Sequence, residues 1–242
     1  MKKMILATAV ALFTVGGAAH AQTPSGRDVM LRALKMSGSD TVLAKHKSVT
    51  MTGTLSLPAQ GVAAPIVNVR SSDNAFHITV DVEGYGVIEQ GYAEGTAYSI
   101  QPQTGAVILT GLQAAQTKRQ AVWRETPEDY LSLSNEGQEK YNGKDAYKLK
   151  LVSKDSVTVT RYYDVESGLP MAMVSTQQTG DGPIEIVSLI SEYKNFDGMM
   201  LATKQVQNIA GNEQIITIDK VEFDVAPASA LELPAAIKAL KK

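Results

Sequence analysis

The feature that most restricts the fold of this chain is its punctuation by turn dipeptides at short, fairly regular spacing. Asp73-Asn74, Glu83-Gly84, Glu94-Gly95, Asn142-Gly143, Ser167-Gly168, Asp181-Gly182, Asp197-Gly198 and Gly211-Asn212 each separate two stretches that read as extended. Within those stretches apolar and polar residues alternate. Phe76, Ile78, Val80 and Val82 share one face, and His77, Thr79 and Asp81 the other. Tyr147, Leu149 and Leu151 repeat the pattern against Ala146, Lys148 and Lys150, and Val157, Val159, Tyr163 and Val165 repeat it again with Arg161 breaking the apolar face. Parallel strands would need long crossover connections, which are missing, so the pattern predicts an antiparallel meander.

Two segments carry information about shape. Ile184, Ile186, Val187, Leu189 and Ile190 place apolar groups on both faces, which predicts a central strand covered on both sides. Ile216 and Ile218 share a parity that Val221 and Phe223 do not, and a bulge near Asp219-Lys220 would restore all four to one face. Helix signals are few. Ser25 to Asp28 has capping-box spacing before Val29, Met30, Ala33 and Leu34, with Gly38 as a stop; a short turn follows over Ser39 to His46; Gln113 to Trp123 is free of Gly and Pro; and Pro234 to Leu240 can close the chain. The expected fold class is α+β and β-dominated: a strongly curved antiparallel sheet, an open half-barrel of about 11–12 strands, wrapped around a few helices. Neither a repeat nor a linker divides residues 22–242, which read as a single domain.

Residues 1–21 read as a secretory signal peptide, with Lys2 and Lys3 before an apolar run from Ile5 to Val15 and a small-residue cleavage site at Ala19-His20-Ala21. Composition narrows the classes further. The chain has no cysteine, which excludes a disulfide scaffold, a thiolate zinc site, a cysteine nucleophile and a lipidated amino-terminal cysteine. Its 23 basic residues are outnumbered by 25 acidic ones, and a net charge of -2 is wrong for a nucleic-acid binder. The expected setting is the bacterial periplasm, as a soluble protein without a lipid anchor.

Chemical motifs are mostly lacking: G-x-S-x-G, H-E-x-x-H, a P-loop and a calcium loop are all missing, and Gly84, Gly86 and Gly91 fit turns better than a dinucleotide fingerprint. His46, beside Lys45 and Lys47, and His77, on a polar strand face, read as solvated. Met171, Met173, Met199 and Met200 could offer thioethers to Cu(I), but without Cys or a nearby His they fit flexible filling of an apolar groove better. No metal and no cofactor is expected. Arg70, Arg161 and Lys204 sit at strand centres among apolar residues, where a cation could snorkel, hold a head group or bind the carbonyls of a lid. Glu125, Glu128 and Asp129 around Pro127 read as a solvated loop and helix start.

The second half of the chain resembles a known family. Gly143-Lys144-Asp145-Ala146-Tyr147-Lys148-Leu149, Tyr162-Tyr163-Asp164-Val165-Glu166-Ser167-Gly168-Leu169-Pro170, Glu192-Tyr193-Lys194-Asn195-Phe196-Asp197-Gly198-Met199-Met200-Leu201 and Val221-Glu222-Phe223 are similar to the strand succession of outer-membrane lipoprotein-sorting-like proteins of the LolA/LolB superfamily, over about residues 137 to 225. These are hairpin motifs, specific for fold and not for function. The resemblance implies a curved half-barrel around helices, with an apolar cavity that in carrier members holds acyl chains. It also implies an arginine that latches a helical lid, for which Arg70, Arg119 and Arg124 are all candidates.

The expected function is non-enzymatic: a periplasmic binder or carrier of a lipid-like ligand, either lipoprotein acyl chains or another lipid. The expected cavity residues are Phe76, Ile78, Val80, Tyr147, Leu149, Val157, Val159, Met171, Met173 and Ile186, with Arg70, Arg161 and Trp123 at the lid or head group. Expected partners are a lipid or acylated protein and a periplasmic or outer-membrane protein, with transient membrane contact and a monomeric state. The alternative is a periplasmic protein-interaction or sensing module that uses the same fold without a lipid.

Overall fold

The computed structural model describes residues 23–179 and 182–241; the proposed signal peptide lies outside them. The first half contributes β1 (Ser48–Leu57), β2 (Val62–Ser71), β3 (Phe76–Val82), β4 (Gly86–Ala93), β5 (Thr96–Gln101) and β6 (Gly105–Ile108). The second contributes β7 (Tyr130–Tyr141), β8 (Lys144–Ser153), β9 (Thr158–Asp164), β10 (Pro170–Thr179), β11 (Gly182–Phe196), β12 (Met199–Ile209) and β13 (Asn212–Phe223). The helices are α1 (Gly26–Ser37), α2 (Ser39–Leu43), α3 (Gly111–Gln120) and α4 (Ala235–Leu240).

All thirteen strands form one antiparallel sheet in the order β6-β5-β4-β3-β2-β1-β13-β12-β11-β10-β9-β8-β7. The sheet does not close, and the architecture is the β-dominated half-barrel that alternation and turn chemistry predict. It consists of two meanders that meet only where β1 pairs with β13. The chain starts at that seam, walks outward to the edge strand β6, crosses through residues 109–129 to the opposite edge strand β7, and walks back. The crossing segment therefore links the two free edges of the sheet.

The seam holds the expected bulge. Thr52 faces Lys220 while Gly53 faces Ile218, so Asp219 is the extra residue. Past it, Val221 and Phe223 return to the face of Ile216 and Ile218, because they stand opposite Met51 and Val49. Glycine is required at position 53, since a Cβ there would lie 1.7 Å from the Thr217 carbonyl oxygen.

Helices α1–α3 cover the inner face. α1 begins with the predicted capping box, in which Ser25 and Asp28 each accept from the other's backbone N–H, and ends at Gly38 with φ +66°, whose N–H bonds the Lys35 carbonyl. Its apolar stripe, Val29, Met30 and Ala33, packs on Tyr130, Leu149, Leu151 and Tyr163 from β7–β9. A second inner-face cluster centres on Leu55, Ala64, Ile66 and Val80. α4 lies on the outer face, where Leu233 and Ile237 bury Ala93 and Tyr98.

Three expectations are corrected. β11 is interior to the sheet, but Ser188 is its only buried residue, because no helix packs closely over either face of it; Leu189 packs sideways with Ala172 and Val174 instead. Neither histidine is freely solvated. His46 Nδ1 lies 2.7 Å from Asp224 and its ring stacks on Phe223, and His77 bonds Glu89 at 2.9 Å beneath the C-terminal segment that carries the Ala230 carbonyl. Glu125 is no solvated loop residue: it faces the interior and pairs with arginines, as described next.

Candidate functional site

Between α1, α2, the inner sheet face and the stretch 119–125 lies a cavity of about 450 Å³, within the usual size range of small-molecule sites. α1 supplies Met30, Ala33 and Leu34, and the sheet supplies Val49, Met51, Ile190, Tyr193 and Met199 through Ala202. Apolar groups dominate these walls. The charged groups sit together at the strap formed by residues 119–125.

That strap is pinned at almost every position. The Trp123 N–H donates to Asn74 Oδ1 at 2.9 Å and its indole N–H to the Leu43 carbonyl at 3.0 Å. Arg124 pairs with Asp40 of α2. Arg70, projecting from β2, donates through Nη2 to the Val122 carbonyl. Arg161, projecting from β9, grips Glu125 with both terminal nitrogens, at 2.6 and 3.0 Å. Arg119 reaches the same carboxylate at 2.8 Å and the Tyr130 hydroxyl at 3.0 Å, with its guanidinium over the Tyr130 ring, and Tyr130 also donates to Glu125.

Electrostatics follow from this geometry. Burial acts to raise the Glu125 carboxyl, but the Arg161 guanidinium, helped by Tyr130 and Arg119, overrides it and holds the group at about 2. Burial likewise opposes the charge on Arg161, and Glu125 more than compensates. Arg70 differs. Burial depresses its pKa, Glu125 offsets this only in part, and Nε is buried with no hydrogen-bond partner among the described residues. Tyr193, whose hydroxyl donates to the Pro170 carbonyl at 2.7 Å, is pushed upward by burial.

Of the residues expected at a ligand, Arg70, Arg161 and Trp123 line this cavity together. The apolar ten do not. Strand alternation puts Tyr147, Leu149 and Val159 on the inner face, but α1 fills the space above them; Leu149 is fully buried, and Tyr147 lines a separate hollow beneath α1. Ile78 and Val80 belong to the second inner cluster, and Phe76 and Val157 are buried core. Met173 pairs with Arg161 across β9 and β10, and Ile186 is half-buried farther along β11. Met171 is the unpaired residue of a β10 irregularity and packs with the outer-face cluster. Met199 and Met200, noted in the sequence for their thioethers, do line the cavity. Glu125 is the residue that sequence reasoning missed. The signal available was Arg161 itself, a cation on an apolar strand face that needs an acid opposite it.

Among the described residues no group of three or more His, Asp or Glu side chains could hold a metal ion, and no helix is long and apolar enough to cross a membrane. No family model matches the sequence, and no curated protein does. Solved structures match it in shape. A DUF1329 family protein from Desulfovibrio piger superposes with a TM-score of 0.57 at 13% identity, covering 86% of this chain and 98% of its own. A LolA superfamily protein from Nitrosomonas europaea gives 0.57 at 14%, covering 87% and 98%. An outer membrane lipoprotein-sorting protein domain from Vibrio parahaemolyticus gives 0.55 at 11%, covering 88% and 99%. At such identities the likeness concerns the fold alone, and it runs across the whole of each partner. With its open antiparallel sheet, inner helices and strapped cavity, this chain has a LolA-like fold.

Proposed function

We propose that this protein is a non-enzymatic binder or carrier of a lipid-like ligand, exported to the periplasm as a soluble monomer by cleavage after residue 21. The observation that carries this reading is the cavity itself: apolar walls on the sheet and α1, partly covered by a strap that hydrogen bonds and ion pairs hold in place and that no strand pairing locks. A site that takes up and releases an acyl chain needs such a cover, fixed by contacts that can break without melting the sheet. The methionines at its wall suit a pocket that adapts to its contents. The lipoprotein-sorting domain of like fold supports the same direction, with an acylated protein as one source of the chain.

The test is native mass spectrometry, with organic extraction, of the mature protein prepared without detergent from a periplasmic fraction. A bound lipid or acylated peptide at near-stoichiometric occupancy is expected. A clean apo mass would favour the second reading, a periplasmic protein-interaction or sensing module. That reading has its own support in α1, which already fills the inner face over Leu149 and Val159 with the protein's own side chains.

A further inference from the structure

The charges around the cavity do not balance. Arg70, Arg119 and Arg161 converge on it, and Glu125 is the one carboxylate among the described residues that pairs with any of them. Arg124 and Asp40 cancel one another at the rim. Arg161 takes both oxygens of Glu125, and Arg119 shares one of them. Arg70 is left with a neutral partner, the Val122 carbonyl, and with a buried Nε that bonds nothing among the described residues. A half-buried guanidinium with its Nε shielded from water and a carbonyl in place of a counter-ion is costly, because a neutral dipole returns only part of the lost hydration. Lid tethering alone does not call for this arrangement, since an uncharged donor would serve the Val122 carbonyl as well.

We infer that the cavity selects an amphiphile with an anionic head group, a carboxylate or a phosphate ester, which seats against Arg70 while its chain lies along Met51, Ile190 and Met199. This rests on the lipid-binding reading above and names the chemistry of the ligand. Guanidinium geometry favours either oxyanion, because Nε and a terminal nitrogen form a fork that two oxygens of one head group can fill. The strap follows from the same contact. An oxyanion on Arg70 competes with the Val122 carbonyl for Nη2, so ligand binding and release of the strap at residue 122 are coupled.

Equilibrium dialysis of the mature chain against amphiphiles that share a myristoyl tail tests this. Myristate, myristoyl lysophosphatidic acid and monomyristoyl glycerol present a carboxylate, a phosphate ester and a neutral diol. The anionic ligands are expected to bind at least about tenfold more tightly than the glycerol ester, and the order of the two identifies which oxyanion the site prefers. Arg70→Met should erase the preference, and Arg70→Lys, which keeps the charge but not the fork, should retain only part of it. Equal binding of all three to the native chain overturns the inference and leaves the carrier reading standing. Binding of none overturns both. A folded Arg70→Met variant that still prefers the anions overturns the assignment to Arg70; if that variant does not fold by circular dichroism, the comparison on the native chain decides.

Discussion

Glu125 is the residue on which the strap turns. It is the shared counter-ion of two guanidiniums and accepts from a phenol, so its removal leaves two cations facing an apolar cavity. Glu125→Gln is expected to cost about 2–4 kcal/mol in urea unfolding, short of the full penalty for a broken buried pair because about a quarter of the carboxylate side chain remains exposed. Acid behaviour follows the same group. Its carboxyl is held at about 2 in the folded chain against 4.5 ordinarily, so its contribution is fully present above pH 4.5 and is lost as pH falls toward 2. Urea midpoints between pH 5 and pH 2.5 should fall steeply in the native chain and less steeply in Glu125→Gln. Asp224, which binds His46 and the N–H groups of Lys47 and Ser48, is lowered to about 2 as well, chiefly by the His46 contact, so some acid slope persists in the variant.

The elements show how far local sequence reaches. Strands are legible because alternation and turn residues repeat within a few positions, and the bulge at Asp219 is legible because it alone reconciles the parity of Ile218 with that of Val221. The ligand residues are another matter. Alternation tells which side chains share a face, and Leu149 and Val159 do face inward; whether a helix or a void lies above them depends on where α1 lands, which only tertiary packing decides. Glu125 was hidden for a related reason, since its partner Arg161 is 36 residues away in the chain. The turns at Gly61, Gly105 and Ser156 lie outside the dipeptide series, so the strands they join are less legible and the expected count of about 11–12 falls slightly short of thirteen. Two variants probe the elements directly. Gly53→Ala forces a methyl into the Thr217 carbonyl and should lower the melting temperature by an amount corresponding to about 1–3 kcal/mol, the cost of overpacking. Ile237→Ala should cost about 2–4 kcal/mol, because that side chain is fully buried where α4 closes the outer face over Tyr98.

At the scale of the whole molecule the decisive contact is the seam, where Val49 meets Phe223 and residues at opposite ends of the chain pair. Such a non-local pairing makes folding slow for a chain of this size. It also makes the two meanders independent of the strap for their association. A protease site inserted in the 109–129 segment is therefore expected to yield, after cleavage, two fragments that still elute together by size exclusion under native conditions. Fragments that separate would show that the strap, and not the β1–β13 pairing, holds the halves. The β7 edge is guarded in a manner consistent with an open sheet: Glu136 and Gly137 form a bulge in it, and Glu139 and Lys140 place charges along it.

That single crossing from β6 to β7 works like the handle of a basket. Every strand belongs to the weave, and the crossing stretch adds no strand to it, being tied on by separate bonds such as those from Arg70 to the Val122 carbonyl and from Gln116 to the Thr176 carbonyl. The length of the handle can therefore vary without disturbing the weave. Residues added or removed between 109 and 129 would widen or narrow the mouth while the register of every strand stayed fixed, so that evolution or an engineer could refit the container to a bulkier cargo by editing one loop.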